Sequence, residues 1–348
     1  MAQFTRKHTN IAKGIGISLM LWHHLFYNSP EYYDKFRSLK IINGIPVECY
    51  LADICKVCVA VFLFLSGYGL YQSWNKAQCR TLRDNFSFVS KHLIAGVYTD
   101  FWFIYLVFVP LGFLFGRNPV SVYQQNPLYF LKDVLGLSYL FDGWSFHTMN
   151  DTWWFMSVII VFYLVFPLFA VGLKKFPESF LAVSMFASLF IRDSAELFQW
   201  QFAFVLGIYF SVRDLFPEIN RWIEKPLNRF ISIALSVITL GLLRIPICHE
   251  FFIQFFDGLF VVPIILFSAF FLSEIKYLGS FLEKLGRHSG KIFMFHSFLF
   301  YYYFPDLFYR GKYAPLIFLF FLLICFALSC LLDKLQKLTH YKSLFQRI

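Results

Sequence analysis

The sequence predicts an all-α membrane protein, a single polytopic domain over residues 1–348 with about ten transmembrane helices. Composition is the first reason: 58% of the 348 residues are hydrophobic and only 15% are charged. A soluble domain of this length needs more charge on its surface. The second reason is pattern, because the apolar segments are continuous over roughly 20 residues. Alternating segments would instead predict the strands of a membrane barrel.

Ten apolar segments approach the length that a bilayer requires. The predicted spans lie near 11–27, 50–70, 94–116, 153–172, 177–191, 196–213, 229–247, 252–273, 290–305 and 313–333. The fifth and ninth segments are the shortest. Residues 127–141, between the third and fourth, are amphipathic and are expected to lie along the membrane surface.

Basic residues are distributed unevenly between the two sets of loops. With the N-terminus in the cytosol, 21 of the 31 Lys and Arg residues lie on the cytosolic side and 8 lie in outer loops. Lys56 and Arg244 fall within spans. This asymmetry obeys the positive-inside rule and predicts that both termini are cytosolic. The net charge of +10 is therefore explained by topology, and no nucleic-acid partner is predicted.

The seven cysteines are scattered along the chain. Cys55 and Cys58 form a CxxC inside an apolar segment, which favours two packed small side chains over a redox or zinc site. We therefore predict no metal site and no permanently bound cofactor.

The first apolar segment, "IAKGIGISLMLWHHLFYN", contains one lysine and two histidines. Lys13 and His24 are 11 residues apart, a rotation of about 1100°, so both project from one face about 16 Å apart along the axis. His23 points about 100° away. This arrangement suits an enzyme with a long anionic substrate. A cation at the cytosolic mouth can bind a phosphate, and a deep imidazole can act at the reactive end, because histidine is the usual general base. In the alternative interpretation Lys13 is only a snorkelling anchor and the histidines bond to neighbouring helices.

Four stretches, in order, resemble motifs of the acyltransferase-3 family of membrane acyltransferases. Lys13-x10-His24 is similar to the Arg/Lys-x10-His pattern of that family, and "VFLFLSGYGL" (61–70) is similar to its FFxLSGF segment. "WWFMSVIIVFYLVFP" (153–167) and "GKIFMFHSFLF" (290–300) resemble two later helices. The sequence departs from the family where many members have an acidic residue, here Ala60, and where a Glu pair is common, here Ile159 and Ile160. The chain resembles the short, membrane-only form.

The resemblance implies an O-acyltransferase of the lipid bilayer, in a bacterial inner membrane. Such an enzyme moves an acyl group, usually acetyl, from cytosolic acyl-CoA to a hydroxyl of a cell-surface glycan or glycolipid. Acetyl-CoA would be a co-substrate, and His24 would be the general base or would carry the acyl group itself. The alternative function is a transporter or exporter of a glycan or organic anion, with Lys13 and His24 lining its path.

Further residues are candidates for substrate binding, each with a structural alternative. The acyl-CoA-binding candidates are Lys13, Arg80, Arg83 and Lys91, of which the last three are equally well explained as topology anchors. The acceptor-binding candidates are Ser66, Tyr68, Trp154, Arg244 and His296. For Trp144, Trp153 and Trp154 an interfacial aromatic belt is favoured over a sugar site, and for His296 a hydrogen-bonded packing role is favoured over catalysis.

Overall fold

The computed structural model describes residues 4–142, 147–192, 196–222 and 225–345. Trp144 lies outside these residues. The described chain is helical almost throughout, and its one small sheet pairs two antiparallel strands of two residues each. The all-α prediction is therefore confirmed.

The helices and strands follow each other in this order: α1 Arg6–Leu25, α2 Pro30–Tyr33, β1 Ile41–Ile42, β2 Ile45–Pro46, α3 Val47–Cys55, α4 Cys58–Ala77, α5 Leu82–Leu93, α6 Thr99–Leu111, α7 Pro119–Val122, α8 Pro127–Val134, α9 Ser138–Asp142, α10 Trp154–Lys175, α11 Pro177–Phe190, α12 Leu197–Val212, α13 Leu215–Trp222, α14 Pro226–Ile247, α15 Ile253–Phe267, α16 Lys276–Ser297 and α17 Ala314–Leu338. Single π-helical turns extend three of them, at Ile94–Tyr98, Ser268–Leu272 and Phe298–Tyr303.

Six helical segments of the described chain are long and apolar enough to cross a membrane. They are Val47–Ala77, Leu82–Leu111, Asp151–Lys175, Pro226–Ile247, Ile253–Leu272 and Ala314–Leu338. Helices α11 and α12 are apolar but shorter. The outward faces are apolar too: Leu235, Ile238 and Leu242 of α14 are each more than half exposed, as lipid contact requires. These features fit an integral membrane protein, whereas the count of ten spans and the cytosolic termini stay predictions.

The chain forms two compact units, each built from two separate stretches. Unit 1 contains residues 1–78 and 167–289, and unit 2 contains residues 79–166 and 290–348. The prediction of a single domain over 1–348 is not tested by this division.

Helices α4 and α12 form the centre of unit 1. A Cβ at Gly67 would collide with the carbonyl oxygen of Phe204, and one at Gly207 would collide with that of Phe64. The two backbones therefore touch, as small residues allow between membrane helices. The glycine of the "LSGY" motif thus has a packing role.

Unit 2 contains three polar networks inside an apolar bundle. The Asp133 carboxylate accepts hydrogen bonds from Tyr123, Thr148 and the Met149 N–H. Lys291 Nζ lies 3.1 Å from Asp100 and 2.5 Å from Asp333. The third network ties the segment before α10 to α16: the Asn150 amide donates to the Met294 carbonyl, and its oxygen accepts from Ser297. Each network satisfies groups that would be costly to bury alone.

Candidate active site

Helix α1 carries Lys13 and His24 on one unbroken segment. Thr5 caps it reciprocally: Thr5 Oγ1 accepts from the His8 N–H, and the Thr5 N–H donates to His8 Nδ1. Eleven residues of regular helix place Lys13 and His24 on the same face, about 16 Å apart along the axis. The helix that the sequence prediction required is therefore present, and the roles of the two side chains stay predictions.

The position of α1 in unit 1 is fixed by a glycine contact with the first part of α16. A Cβ at Gly14 would collide with the carbonyl oxygen of Leu282, and a Cβ at Gly286 would collide with that of Asn10. Backbone therefore packs directly on backbone one residue after Lys13. This close approach leaves α1 little freedom to rotate, so it holds the face that carries Lys13 and His24.

The two neighbouring histidines have different environments. His23 is buried, and its Nδ1 lies 2.7 Å from the Ala52 carbonyl oxygen of α3, so Nδ1–H donates to that oxygen. His24 is half-buried. The two rings lie 5.2 Å apart between centroids. His23 is thus held by the backbone of α3, and His24 is the more accessible imidazole.

Helix α3 lies along the second half of α1 and is tied to it at several points. Trp22 Nε1 donates to the Glu48 carbonyl oxygen at 3.2 Å. Just after α1, Asn28 Nδ2 donates to Asp53 Oδ2 at 2.7 Å, and the Tyr33 hydroxyl donates to Asn28 Oδ1 at 2.7 Å. The end of α1 that carries His24 is therefore lined by polar side chains of α3 and of the following loop.

Arg244 and Asp257 form an ion pair with no solvent exposure between α14 and α15. Arg244 Nε donates to Asp257 Oδ1 at 2.6 Å, and Nη2 donates to Oδ2 at 3.3 Å. Nothing in the described part of the chain accepts a hydrogen bond from Arg244 Nη1. Arg244 interacts electrostatically with His23 and Asp53. The acceptor candidate Arg244 thus lies at the same end of unit 1 as His24.

Lys56 also lies at this end, in the break between α3 and α4. It is half-buried, and it interacts electrostatically with both histidines, with Asp53 and with Asp257. The sequence showed Lys56 only as a charge within a span. Asp257 and Asn28 were also not predicted from the sequence. For Asp257 a signal was present, because Arg244 and Asp257 are opposite charges in two successive apolar segments, a pattern that indicates an ion pair.

Tyr68 lies at the opposite end of unit 1. Its ring contacts Phe4 at 5.1 Å and Phe216 at 5.4 Å, whereas Gly16 of α1 faces Val61 at the other end of α4. Helix α4 therefore runs antiparallel to α1, and Tyr68 is level with the start of α1. Ser66, two residues earlier, lies near the same level. Both candidates are closer to the Lys13 end than to His24, and their role in binding the acceptor stays a prediction.

The remaining candidates belong to unit 2. Arg80, Arg83 and Lys91 are exposed at or before α5. Thr81 caps α5, and the N–H groups of Arg80 and Thr81 donate to the Asp84 carboxylate. Arg80 and Arg83 therefore stand at the surface around an ordered helix start, and Lys91 stands near the other end of α5. This arrangement fits a phosphate site and a topology anchor equally well.

Trp154 and His296 have mainly packing contacts within unit 2. Trp154 is half-buried at the start of α10, with its ring 5.8 Å from that of Tyr139. His296 is fully buried, and its Nδ1 lies 2.8 Å from the Phe293 carbonyl oxygen one turn earlier. Its ring stacks on Phe300 at 6.1 Å. The packing interpretation of His296 is therefore favoured.

Comparison with known proteins identifies the family. The family model described as the acyltransferase domain, acyltransferase-3, matches residues 9–334. No curated protein and no solved structure matches the chain. The matched region includes helix α1 with Lys13 and His24 and extends into α17, which is nearly the whole chain. The chain therefore belongs to the acyltransferase-3 family of membrane acyltransferases.

Proposed function

We propose that the protein transfers an acyl group, acetyl in the first instance, from cytosolic acyl-CoA to a hydroxyl of a cell-surface glycan or glycolipid. The membrane would be the inner membrane of a bacterium. Family membership supports acyl transfer. It also favours an enzyme over the transporter of a glycan or organic anion that the sequence left open.

The accessibility of His24 is the observation that carries the proposal. His24 is half-buried on the face of α1 that also carries Lys13, whereas His23 is buried with its Nδ1 bonded to the Ala52 carbonyl oxygen. A catalytic imidazole must be reached by the substrate with which it exchanges a proton. Of the two adjacent histidines, His24 has the more exposed ring.

In the proposed reaction the acceptor oxygen attacks the thioester carbonyl carbon while His24 takes the hydroxyl proton. Collapse of the tetrahedral intermediate breaks the C–S bond, and the proton passes to the CoA thiolate. In a second route a His24 nitrogen attacks first, CoA leaves, and the acceptor hydroxyl then takes the acyl group from the imidazole. Both routes use the same histidine and give the same ester.

Lys13 is proposed to bind the phosphates of the donor at the other end of α1. It is half-buried, and its side chain makes no hydrogen bond or ion pair to the described part of the chain. Arg80, Arg83 and Lys91 are proposed as further phosphate ligands, because guanidinium and ammonium groups pair with phosphate oxygens. The outer-side candidate for the acceptor is Arg244.

The proposal predicts opposite outcomes for the two histidines. His24→Ala should lower transfer of labelled acetyl from acetyl-CoA into membrane acceptors by roughly 10²–10⁴-fold if His24 is a general base. A greater loss would favour the acyl-histidine route. His23→Ala should retain most of the activity, because it removes only a hydrogen bond to Ala52.

Both variants should be compared with wild type at equal amounts of membrane-inserted protein. Acetyl-CoA binding by the purified protein should persist in His24→Ala, since the donor phosphates are bound elsewhere. Normal transfer by His24→Ala, or a loss confined to His23→Ala, would exclude the assignment.

A further inference from the structure

Lys56 occupies a break in a long helical segment. Helix α3 ends at Cys55, and α4 begins at Cys58. Within the break, the N–H groups of Lys56 and Val57 donate to carbonyl oxygens three residues earlier, those of Asp53 and Ile54. Ala52, whose carbonyl holds His23, is one helical turn before Lys56. Lys56 is therefore positioned by the same helix that lines the His24 end of α1.

The two carboxylates that interact electrostatically with Lys56 accept their hydrogen bonds from other side chains. Asp53 accepts a hydrogen bond from Asn28 at 2.7 Å. Asp257 accepts two from Arg244. In the described part of the chain Lys56 makes neither an ion pair nor a side-chain hydrogen bond. Because an unpaired ammonium within a membrane span is costly, Lys56 is a candidate for a functional cation.

The surroundings of Lys56 also favour negative charge on a ligand. Lys56 lies two residues before α4, whose N-cap residue Val57 makes no side-chain cap, so the helix start adds partial positive charge, although the Val59 N–H already donates to the Lys56 carbonyl oxygen. Arg244 is fully buried, and no group in the described part of the chain accepts a hydrogen bond from its Nη1. Arg244 also interacts electrostatically with Asp53 and Cys55, which lie just before Lys56.

We propose that Lys56 is a catalytic residue that binds the acyl carbonyl oxygen and stabilises the oxyanion of the tetrahedral intermediate. The proposal rests on the proposed acyl transfer at His24. When the nucleophile bonds to the carbonyl carbon, the π electron pair moves to the oxygen, which becomes an anion beside the Lys56 ammonium. When the C–S bond breaks, the pair returns and the charge leaves with CoA sulfur. Attack by a hydroxyl and attack by His24 produce the same oxyanion, so Lys56 serves either route.

Kinetics separates this role from a structural one. Lys56→Gln should lower kcat for acetyl transfer from acetyl-CoA by roughly 10²–10³-fold, the range for losing one oxyanion donor. KM for acetyl-CoA should change little, because the interaction develops only in the transition state. Lys56→Arg should restore much of the activity, since it keeps the cation. Lys40→Gln, which removes an exposed lysine of unit 1, is the matched control and should behave as wild type.

Binding of a transition-state analogue gives a second measurement that needs no acceptor. A CoA thioether of trifluoroacetone forms a tetrahedral adduct, and wild type should bind it roughly 10²-fold more tightly than acetyl-CoA. Lys56→Gln and the isosteric Lys56→Met should bind acetyl-CoA normally and lose this preference. If one of the two variants does not fold, the other still allows the preference for the analogue to be measured.

The outcomes separate the two proposals. If wild type does not transfer acetyl, both fall. A second outcome is that wild type is active, His24→Ala is inactive, and Lys56→Gln has a normal kcat and a normal preference for the analogue. In that case the proposed acyl transfer stands and the role of Lys56 is refuted. A rise in the KM of Lys56→Gln for acetyl-CoA, with kcat unchanged, would also refute the proposed stabilisation of the oxyanion by Lys56. Lys56 would then be a donor-binding residue.

Discussion

Lys56 in unit 1 and Lys291 in unit 2 are both lysines within largely apolar helical bundles, and they differ in their partners. Lys291 Nζ contacts Asp100 and Asp333, and Gln336 donates a further hydrogen bond to Asp100. Around Lys56 the carboxylates of Asp53 and Asp257 are engaged by Asn28 and Arg244. Direct ion pairs hold Lys291, which suits a structural role. Lys56 has no ion pair in the described part of the chain, which suits the ligand proposed for it.

Breaking the Arg244–Asp257 pair should have the largest effect on stability. Arg244→Met leaves Asp257 as an uncompensated carboxylate with no solvent exposure. The expected loss is about 3–5 kcal/mol, measured by unfolding in mixed detergent micelles. The double variant Arg244→Met/Asp257→Leu should recover most of it, because an apolar pair can replace a buried ion pair. Equal losses in the single and double variants would contradict this account.

Removing Lys291 should have an intermediate effect. In Lys291→Met the carboxylates of Asp100 and Asp333 lose their shared cation, but these side chains are 28% and 33% exposed, so water compensates in part. We expect a loss of about 2 kcal/mol, between the values for exposed and buried pairs. Lys56→Met should cost much less stability while it impairs catalysis. A stability loss in Lys56→Met as great as that in Lys291→Met would remove the distinction between the two lysines.

The Asp133 network of unit 2 should produce a smaller, pH-dependent effect. Burial raises the pKa of Asp133 to about 6, although hydrogen bonds from Thr148, Met149 and Tyr123 and the charge of Arg117 act in the opposite direction. Because the pKa in the folded state lies above that of the unfolded chain, the folded state binds the proton more tightly. The contribution of Asp133 to stability is therefore present at low pH and lost as pH rises through 6.

Unfolding in mixed micelles at pH 5 and pH 7 should reveal this effect. The free energy of unfolding of wild type should include a contribution from Asp133 that is about 1 kcal/mol greater at pH 5. Asp133→Asn, which cannot titrate, should lack this part of the difference. An identical pH dependence in wild type and variant would show that the Asp133 carboxyl has an ordinary pKa in the fold.

The sequence predicts the helices well where apolar length decides the structure. The predicted spans 153–172, 229–247 and 313–333 correspond to α10, α14 and α17 within a few residues. The segment 50–70 was less predictable, because the helices extend from Val47 to Ala77 with a break at Lys56 that no Gly or Pro announces. Residues 127–141 form two short helices, α8 and α9, whose separation at Gly136 follows from its positive φ.

Helical phase distinguishes His24 from His23 in the sequence, and the two histidines also have different environments in the structure. The polar groups around His24 were not predictable in the same way. Asn28 and Asp257 come from segments that only packing brings to Asp53 and Lys56 at the end of α3. Periodicity within one helix gives no information about such contacts.

In the proposed reaction, with α1 as a membrane helix, the unbroken helix between Lys13 and His24 would also separate the reaction geometry from the lipid environment. A membrane helix responds to a thinner or thicker bilayer mainly by tilting. Tilting of α1 would change the depth of both side chains, but their separation of about 16 Å is set by the helical rise. The length of donor that fits between them would therefore be the same in membranes of different lipid composition.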